Sequence, residues 1–217
     1  MATDGSLLRL LAWLSPAFPT GAFTCSHGLE WAVEAGDIRD AGDLRQWLTD
    51  ILHHGAGRCD AILLRHAYCA AKDPAALAAI AELAAAIAPA RERLSESLGQ
   101  GTAFLRAARA WGLPAITGEA PYPVAVGALA GWHAIGEDAS VIAYLQSFIS
   151  NLISAAVRLV PLGQSDGLRV LASLEPGILA VAADTRTASL ADAGGCAFRA
   201  DLAAMRHETQ YTRLFRS

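Results

Sequence analysis

The chain is 217 residues long, 53% of them hydrophobic, and carries a formal net charge of −4. That length and apolar content suffice for one domain with a sizeable core, and the acidic balance argues against a nucleic-acid binder, which would carry a basic stripe. Lys72 is the only lysine, so no Gly-Lys-Ser/Thr phosphate loop exists and the chain does not hold a nucleotide in that way.

Leu7, Leu8, Leu10, Leu11 and Leu14 predict a short amphipathic helix that Pro16 stops. The stretch LSPAFPTGAFTCSHGLE over 14–30 follows. Its Pro16, Pro19 and Gly21 fix or free the backbone at intervals too short for a helix, so it reads as a rigid loop. That loop either exposes Phe18 and Phe23 or buries them. Ser26 is placed to cap a helix ending near residue 36. Helices are then predicted over 43–57, with Leu44, Leu48, Ile51 and Leu52 at core spacing, and over 60–71. Pro74 suits the first position of an alanine-rich helix reaching residue 88. Residues 91–110 and 121–133 give two more helices. Over 139–160, Val141, Leu145, Phe148 and Leu152 make one stripe and Ile142, Ile149, Ile153 and Ala156 the adjacent one, which predicts the central helix. After Pro161, a turn over 162–167 leads to a helix over 168–183 that Pro176 and Gly177 kink or divide. Residues 184–197, with two adjacent glycines, read as a mobile linker. A last helix over 198–207 runs into the tail. Nothing alternates with period two. The chain is predicted to be all-α, a single-domain bundle of about nine or ten helices without a sheet.

The four cysteines, Cys25, Cys59, Cys69 and Cys196, form no CxxC pair, and a domain this large needs no disulfide. The N-terminus puts an acidic residue before a short apolar run, where a secretory signal has a basic one. Glu82 interrupts the apolar tract near 75–90, and Gln146, Asn151 and Arg158 interrupt the one near 141–160. Both read as buried helices rather than membrane spans. A reduced, soluble, cytoplasmic protein is expected, with no membrane or nucleic-acid partner.

His27 and Glu30 fall three residues apart with Cys25 nearby, a trio able to serve a metal. The plainer reading has Glu30 supporting a helix start while His27 packs or hydrogen-bonds. His53 and His54, adjacent on a helix, diverge by ~100°, and His66 with Cys69 makes only a pair. No window offers three or four soft donors, so no tight metal site is expected, Cys25 and His27 being the weak candidates. A G-x-S-x-G string is absent. Glu92 and Glu96, among Arg91 and Arg93, read as a solvated, salt-bridged face rather than an acid/base pair. No catalytic residue emerges.

Three polar strings lack a core explanation: the opening loop, RLVPLGQSDG over 158–167, and MRHETQYTRLFRS over 205–217. In the last, Tyr211, Leu214 and Phe215 interleave with Arg213 and Arg216, residue types that anchor protein interfaces. The alternative is that Phe215 folds back onto the bundle.

LSPAFPTGAFTCSHGLEWAVEAG, VRLVPLGQSDG and DLAAMRHETQYTRLFRS, collinear and similarly spaced, resemble the UreF family of urease accessory proteins over residues 7–217. The resemblance implies an all-α, dimeric, non-enzymatic protein that binds UreD (also called UreH) and recruits the GTPase UreG. Together they help load nickel, with carbon dioxide, into apo-urease. It also implies partner binding by Pro19, Gly21, Phe23, Ser26, His27 and Glu30 of the loop, and by His207, Glu208, Gln210, Tyr211, Arg213, Leu214, Phe215 and Arg216 of the tail. Arg158, Gln164 and Asp166 match a string associated with nickel passage or GTPase coupling. There the family often has lysine where this chain has Arg158; arginine keeps the charge but presents a planar fork and does not readily lose its proton. The implied role is a scaffold: nickel is handled transiently, because a tight site would trap it, and GTP is bound by UreG. Three other readings stay open. A nickel-transfer protein would use Cys25, His27 and other histidines, and a GTPase-activating modulator of UreG would use Arg158 or Arg213 as an arginine finger. An unrelated helical enzyme would show turnover controlled by one pocket residue.

Overall fold

Apolar periodicity and side-chain caps account for most of the helices. A computed structural model describes residues 4–116 and 118–217, so the first three residues of the expected soluble N-terminus lie outside the described residues. Among those described there are ten α-helices and no strand: α1 (Asp4–Trp13), α2 (Leu29–Glu34), α3 (Ala41–His54), α4 (Ala56–Cys69), α5 (Pro74–Ala86), α6 (Arg91–Ala108), α7 (Tyr122–Trp132), α8 (Glu137–Leu159), α9 (Gln164–Asp184) and α10 (Phe198–His207). The all-α expectation is met. Asp40 accepts from the amides of Gly42 and Asp43 to start α3, and Asp73 does the same for Ala75 and Ala76 ahead of Pro74.

α7 is buried on nearly its whole circumference, from Pro123 to Ala130, as an all-round apolar helix must be. It lies so close to α4 that a Cβ at Gly127 would sit 2.2 Å from the Leu64 carbonyl oxygen, and one at Gly131 2.2 Å from that of Tyr68. α8 is also a core helix, burying Val141, Tyr144, Leu145, Ile149, Leu152 and Ile153, while Phe148 and Ile142 of the expected stripes are only partly covered. By length and composition alone α8 could cross a membrane, but half of its most apolar window is packed inside the protein.

Several boundaries differ from the sequence expectation. The chain turns at Gly55, so α3 stops three residues and α4 starts four residues earlier than expected. At Gly57 a Cβ would lie 2.7 Å from the Leu52 backbone, which is why the turn can be so tight. α9 begins at Gln164, inside the expected turn, and runs unbroken through Pro176; the proline forgoes one backbone bond without dividing the helix. The segment over 184–197, expected as a mobile linker, contains two 3₁₀ turns. Arg58 holds it by Asp184 Oδ2 and the Asp192 carbonyl, each at 3.0 Å, and the Cys196 amide donates to the His54 carbonyl at 2.8 Å. Beside it the buried Arg65 donates to Glu137, Asp138, Thr185 and the Ala182 carbonyl, joining α4, α8 and α9. Such a fully paired cation is costly to disrupt.

Gly127→Ala is expected to destabilise the fold by about 2–3 kcal/mol, because two helix backbones must separate. Gly99→Ala, in α6 with open space around the added methyl, is expected to stabilise it by about 0.5–1 kcal/mol. Urea titrations of the two variants against the wild type check the pair.

Candidate partner interface

The opening loop divides its two aromatics. Phe18 turns inward against Phe104, with ring centroids 5.5 Å apart, whereas Phe23 is 67% exposed. Gly21, at φ 79°, starts a 3₁₀ turn over Ala22–Thr24. α8 steadies that turn: Asn151 Nδ2 donates to the Ala22 carbonyl at 3.1 Å and the Arg158 guanidinium to the Phe23 carbonyl at 2.8 Å. Pro19 lies exposed ahead of it.

Ser26 is not the cap of α2, as was expected. The cap position belongs to Gly28, at φ 77°, where a Cβ would meet the Ala204 backbone nitrogen at 2.6 Å. α10 therefore packs directly on this glycine. Ser26, two residues ahead of that position, donates both its amide and its hydroxyl to the Ser217 carbonyl, at 2.5 and 2.6 Å. Its Oγ still accepts from the Glu30 amide at 3.3 Å.

The tail folds back across α2 and α6, which is the fold-back alternative for Phe215. Phe215 is buried, and its ring carries the Arg158 guanidinium 4.3 Å above its centroid. The decisive partner is Glu30. One carboxylate oxygen accepts from the Leu214 amide at 2.6 Å, and the other accepts from the Phe215 amide at 2.9 Å and lies 3.1 Å from His207 Nε2. Glu92 meets His207 Nδ1 and Arg213 NH1, both at 2.6 Å. Glu96 takes the Ser217 hydroxyl at 2.6 Å and pairs with Arg93. Further out, Gln210 donates to Glu34 at 2.5 Å, and Glu208 accepts from the Arg91 amide at 3.0 Å. Tyr211, Leu214 and Arg216 remain exposed.

One sequence expectation needs correction here, and one weak metal candidate does not assemble. Glu92 and Glu96 are not on a solvated face; their side chains are 11% and 7% exposed, and they anchor the tail. Their charge run hid this, because their partners in the tail are 115 to 121 residues away. Cys25, His27 and Glu30 do not converge either: His27, at φ 59°, turns to Glu96 at 3.8 Å and the edge of Phe148, away from Glu30. Burial, and then the Glu96 charge, push the Cys25 thiol up, which disfavours the thiolate a metal requires. No group of three or more metal-binding side chains occurs among the described residues. Of the 158–167 string, Arg158 joins the loop to the tail, while Asp166 accepts from the Gly163 amide at 3.2 Å and pairs with Arg169, and Gln164 is exposed. The three are not gathered into one site.

The sequence model of UreF matches residues 38–175. The chain is 54% identical to the urease accessory protein UreF of Rhodopseudomonas palustris strain BisB5, over 99% of its own length and 92% of that protein. It is 51% identical to the protein of that name from Methylorubrum populi, over 97% and 98% of the two chains. The chain belongs to the UreF family. Opening loop and tail lie outside the part matched by the family model, but the near-full-length UreF relatives span them.

The interior polar groups of this UreF-family chain set a pH dependence. Burial, and then the Arg93 charge, lower His27 from 6.5 to about 4. The unfolded chain therefore binds more protons between those values, and stability falls as pH drops from 6.5 to about 4. Asp60 acts oppositely: burial raises it from 3.8 to about 6, despite the hydrogen bond from Tyr144, so acidification through that window favours the fold. Burial alone would raise Glu96, but Arg93 and His27 outweigh it and hold the carboxyl low, so its contribution is lost only below 4.5. His27→Asn, which tolerates the left-handed backbone, is expected to lose about 3 kcal/mol less than the wild type between pH 6.5 and about 4. Denaturant titrations across that range measure the difference.

Proposed function

We propose that the chain is a urease maturation factor acting as a non-enzymatic scaffold. It binds UreD and recruits UreG, which carries the GTP, so that hydrolysis is coupled to delivery of nickel into apo-urease. The observation that supports this best is the tail itself. The buried Glu30 carboxylate fixes its backbone, yet it directs Tyr211 and Leu214 into solvent, beside a loop that exposes Phe23 and whose Thr24 carbonyl accepts from the Arg216 amide at 2.8 Å. A rigid backbone that presents aromatic, aliphatic and arginine side chains is what a docking surface requires. The relatives' name, urease accessory protein UreF, supports the choice of partners.

Within this proposal Arg158 holds the loop against the tail. Its guanidinium lies on the Phe23 carbonyl and the Phe215 ring, which favours a positioning role in GTPase coupling over contact with nickel or nucleotide. Nickel passes transiently through the assembled complex, and the work is done in the cytoplasm. The proposed homodimer is favoured by α1, whose Leu7, Leu8 and Leu11 are all more than half exposed on a helix that already buries Leu10 and Trp13. A second copy covering that face removes apolar surface from water.

The experiment is co-purification with UreD and UreG. Tyr211→Ala combined with Leu214→Ala is expected to weaken capture at least about tenfold while circular dichroism stays unchanged; undiminished capture overturns the proposal. Truncation after Arg206 is a poorer test, because it strips Glu30 and Glu92 of their partners inside the protein. Leu8→Glu is expected to halve the mass seen by light scattering, from about twice the 22.7 kDa chain to one copy.

A further inference from the structure

His207 is fully buried with a carboxylate oxygen on each ring nitrogen, Glu30 at 3.1 Å from Nε2 and Glu92 at 2.6 Å from Nδ1. A neutral imidazole has one N–H and one lone pair. If both carboxylates are ionised, the lone-pair nitrogen faces an oxygen that has nothing to donate, in a place closed to water. The arrangement therefore needs one proton more than a neutral ring and two carboxylates carry, whether that proton sits on the ring or on a carboxyl.

The surrounding charges do not supply it. From α2, Glu34 is occupied by Gln210. From α6, Arg91 pairs with Glu208, while Arg93 pairs with Glu96, which also faces His27 of the loop. From α8, Arg158 lies over Phe215. Among the described residues, only Arg213, on Glu92, adds a positive charge to the group. Without the extra proton, Glu30 and Glu92 leave one negative charge unbalanced against it, and a buried unpaired charge is expensive.

We propose that the tail is a proton-dependent latch, closed while the Glu30–His207–Glu92 group holds the extra proton and released when that proton leaves. Release frees the Leu214 and Phe215 amides from Glu30 and lets the segment after His207 lift from α2 and α6. The latch governs the docking face proposed above and rests on that reading for its use, but its opening is measurable on the isolated chain.

The test is hydrogen exchange of the full chain, reading peptides that contain Leu214 and Phe215 at about pH 6 and about pH 9, each corrected for intrinsic exchange. Wild-type protection is expected to fall at least about tenfold at the higher pH. Glu92→Gln is the informative variant. Its amide N–H can donate to Nδ1 of a neutral His207 while its oxygen still accepts from Arg213, so no extra proton is needed. Its protection is expected to differ less than about twofold between the two pH values. His207→Gln, which cannot take up the extra proton, is expected to be unprotected at both. Wild-type protection that ignores pH, or a Glu92→Gln tail that opens like the wild type, overturns the latch. A working latch whose state leaves UreD capture unchanged would instead overturn the docking reading alone.

Discussion

The carboxylate of Glu30 is the constraint on which the tail-bearing half of the structure depends. Two backbone amides of the tail and a ring nitrogen of His207 all point at it. Bonds to an ionised acceptor are about twice as strong as neutral ones, and a buried one has no water to fall back on. Glu30 can occupy that place because α2 starts at a left-handed Gly28 on which α10 rests directly. A side chain at Gly28 would push α10 away and carry His207 with it. A backbone requirement of one glycine is thus transmitted to the ordering of a tail some 180 residues later in the chain.

The other half is governed by closeness of backbones rather than by charge. Gly127 and Gly131, one turn apart on α7, let that helix meet α4 with carbonyl oxygens where side chains would otherwise be. Burying α7 on all sides makes the bundle stiff at its centre. α6 spans both regimes, since Phe104 packs in the core while Glu92 and Glu96 hold the tail. The scaffold character proposed for this chain follows from that union: α6 carries the rigidity of the core to the segment that displays Tyr211 and Leu214.

Much of the fold could be read in advance because helix periodicity is a local signal. α10 matches its predicted span, and α5 starts at the predicted Pro74. Gly55 was missed as a boundary because nothing local distinguishes a glycine that turns the chain from one tolerated in a helix. Pro176 does not divide α9, whose helix continues on both sides of it. The candidate site was half legible. The loop and tail strings stood out as polar segments without a core role, but their anchor did not. Glu92 and Glu96 share a run with Arg91 and Arg93 that looks like any solvated helix face. Only the long-range fold shows that their partners are His207, Arg213 and Ser217. Pairings over such separations leave no periodic trace.

The chemistry of that anchor suits the latch proposed above. An apolar tail of the same length would bury more surface and hold irrespective of conditions. Here one aromatic, Phe215, supplies the apolar contact, and most of the remaining hold comes from hydrogen bonds and ion pairs to three glutamates. Buried ion pairs contribute little net stability when complete but cost several kcal/mol when one member is lost. The tail's closed state is therefore well defined yet only modestly stabilised, and its grip is all-or-none with respect to its charged partners. Arg158 fits the same logic: a planar guanidinium can lie flat on the Phe215 ring while donating to the Phe23 carbonyl. A lysine could make either contact but not both with that geometry, so the arginine ties loop and tail into one surface.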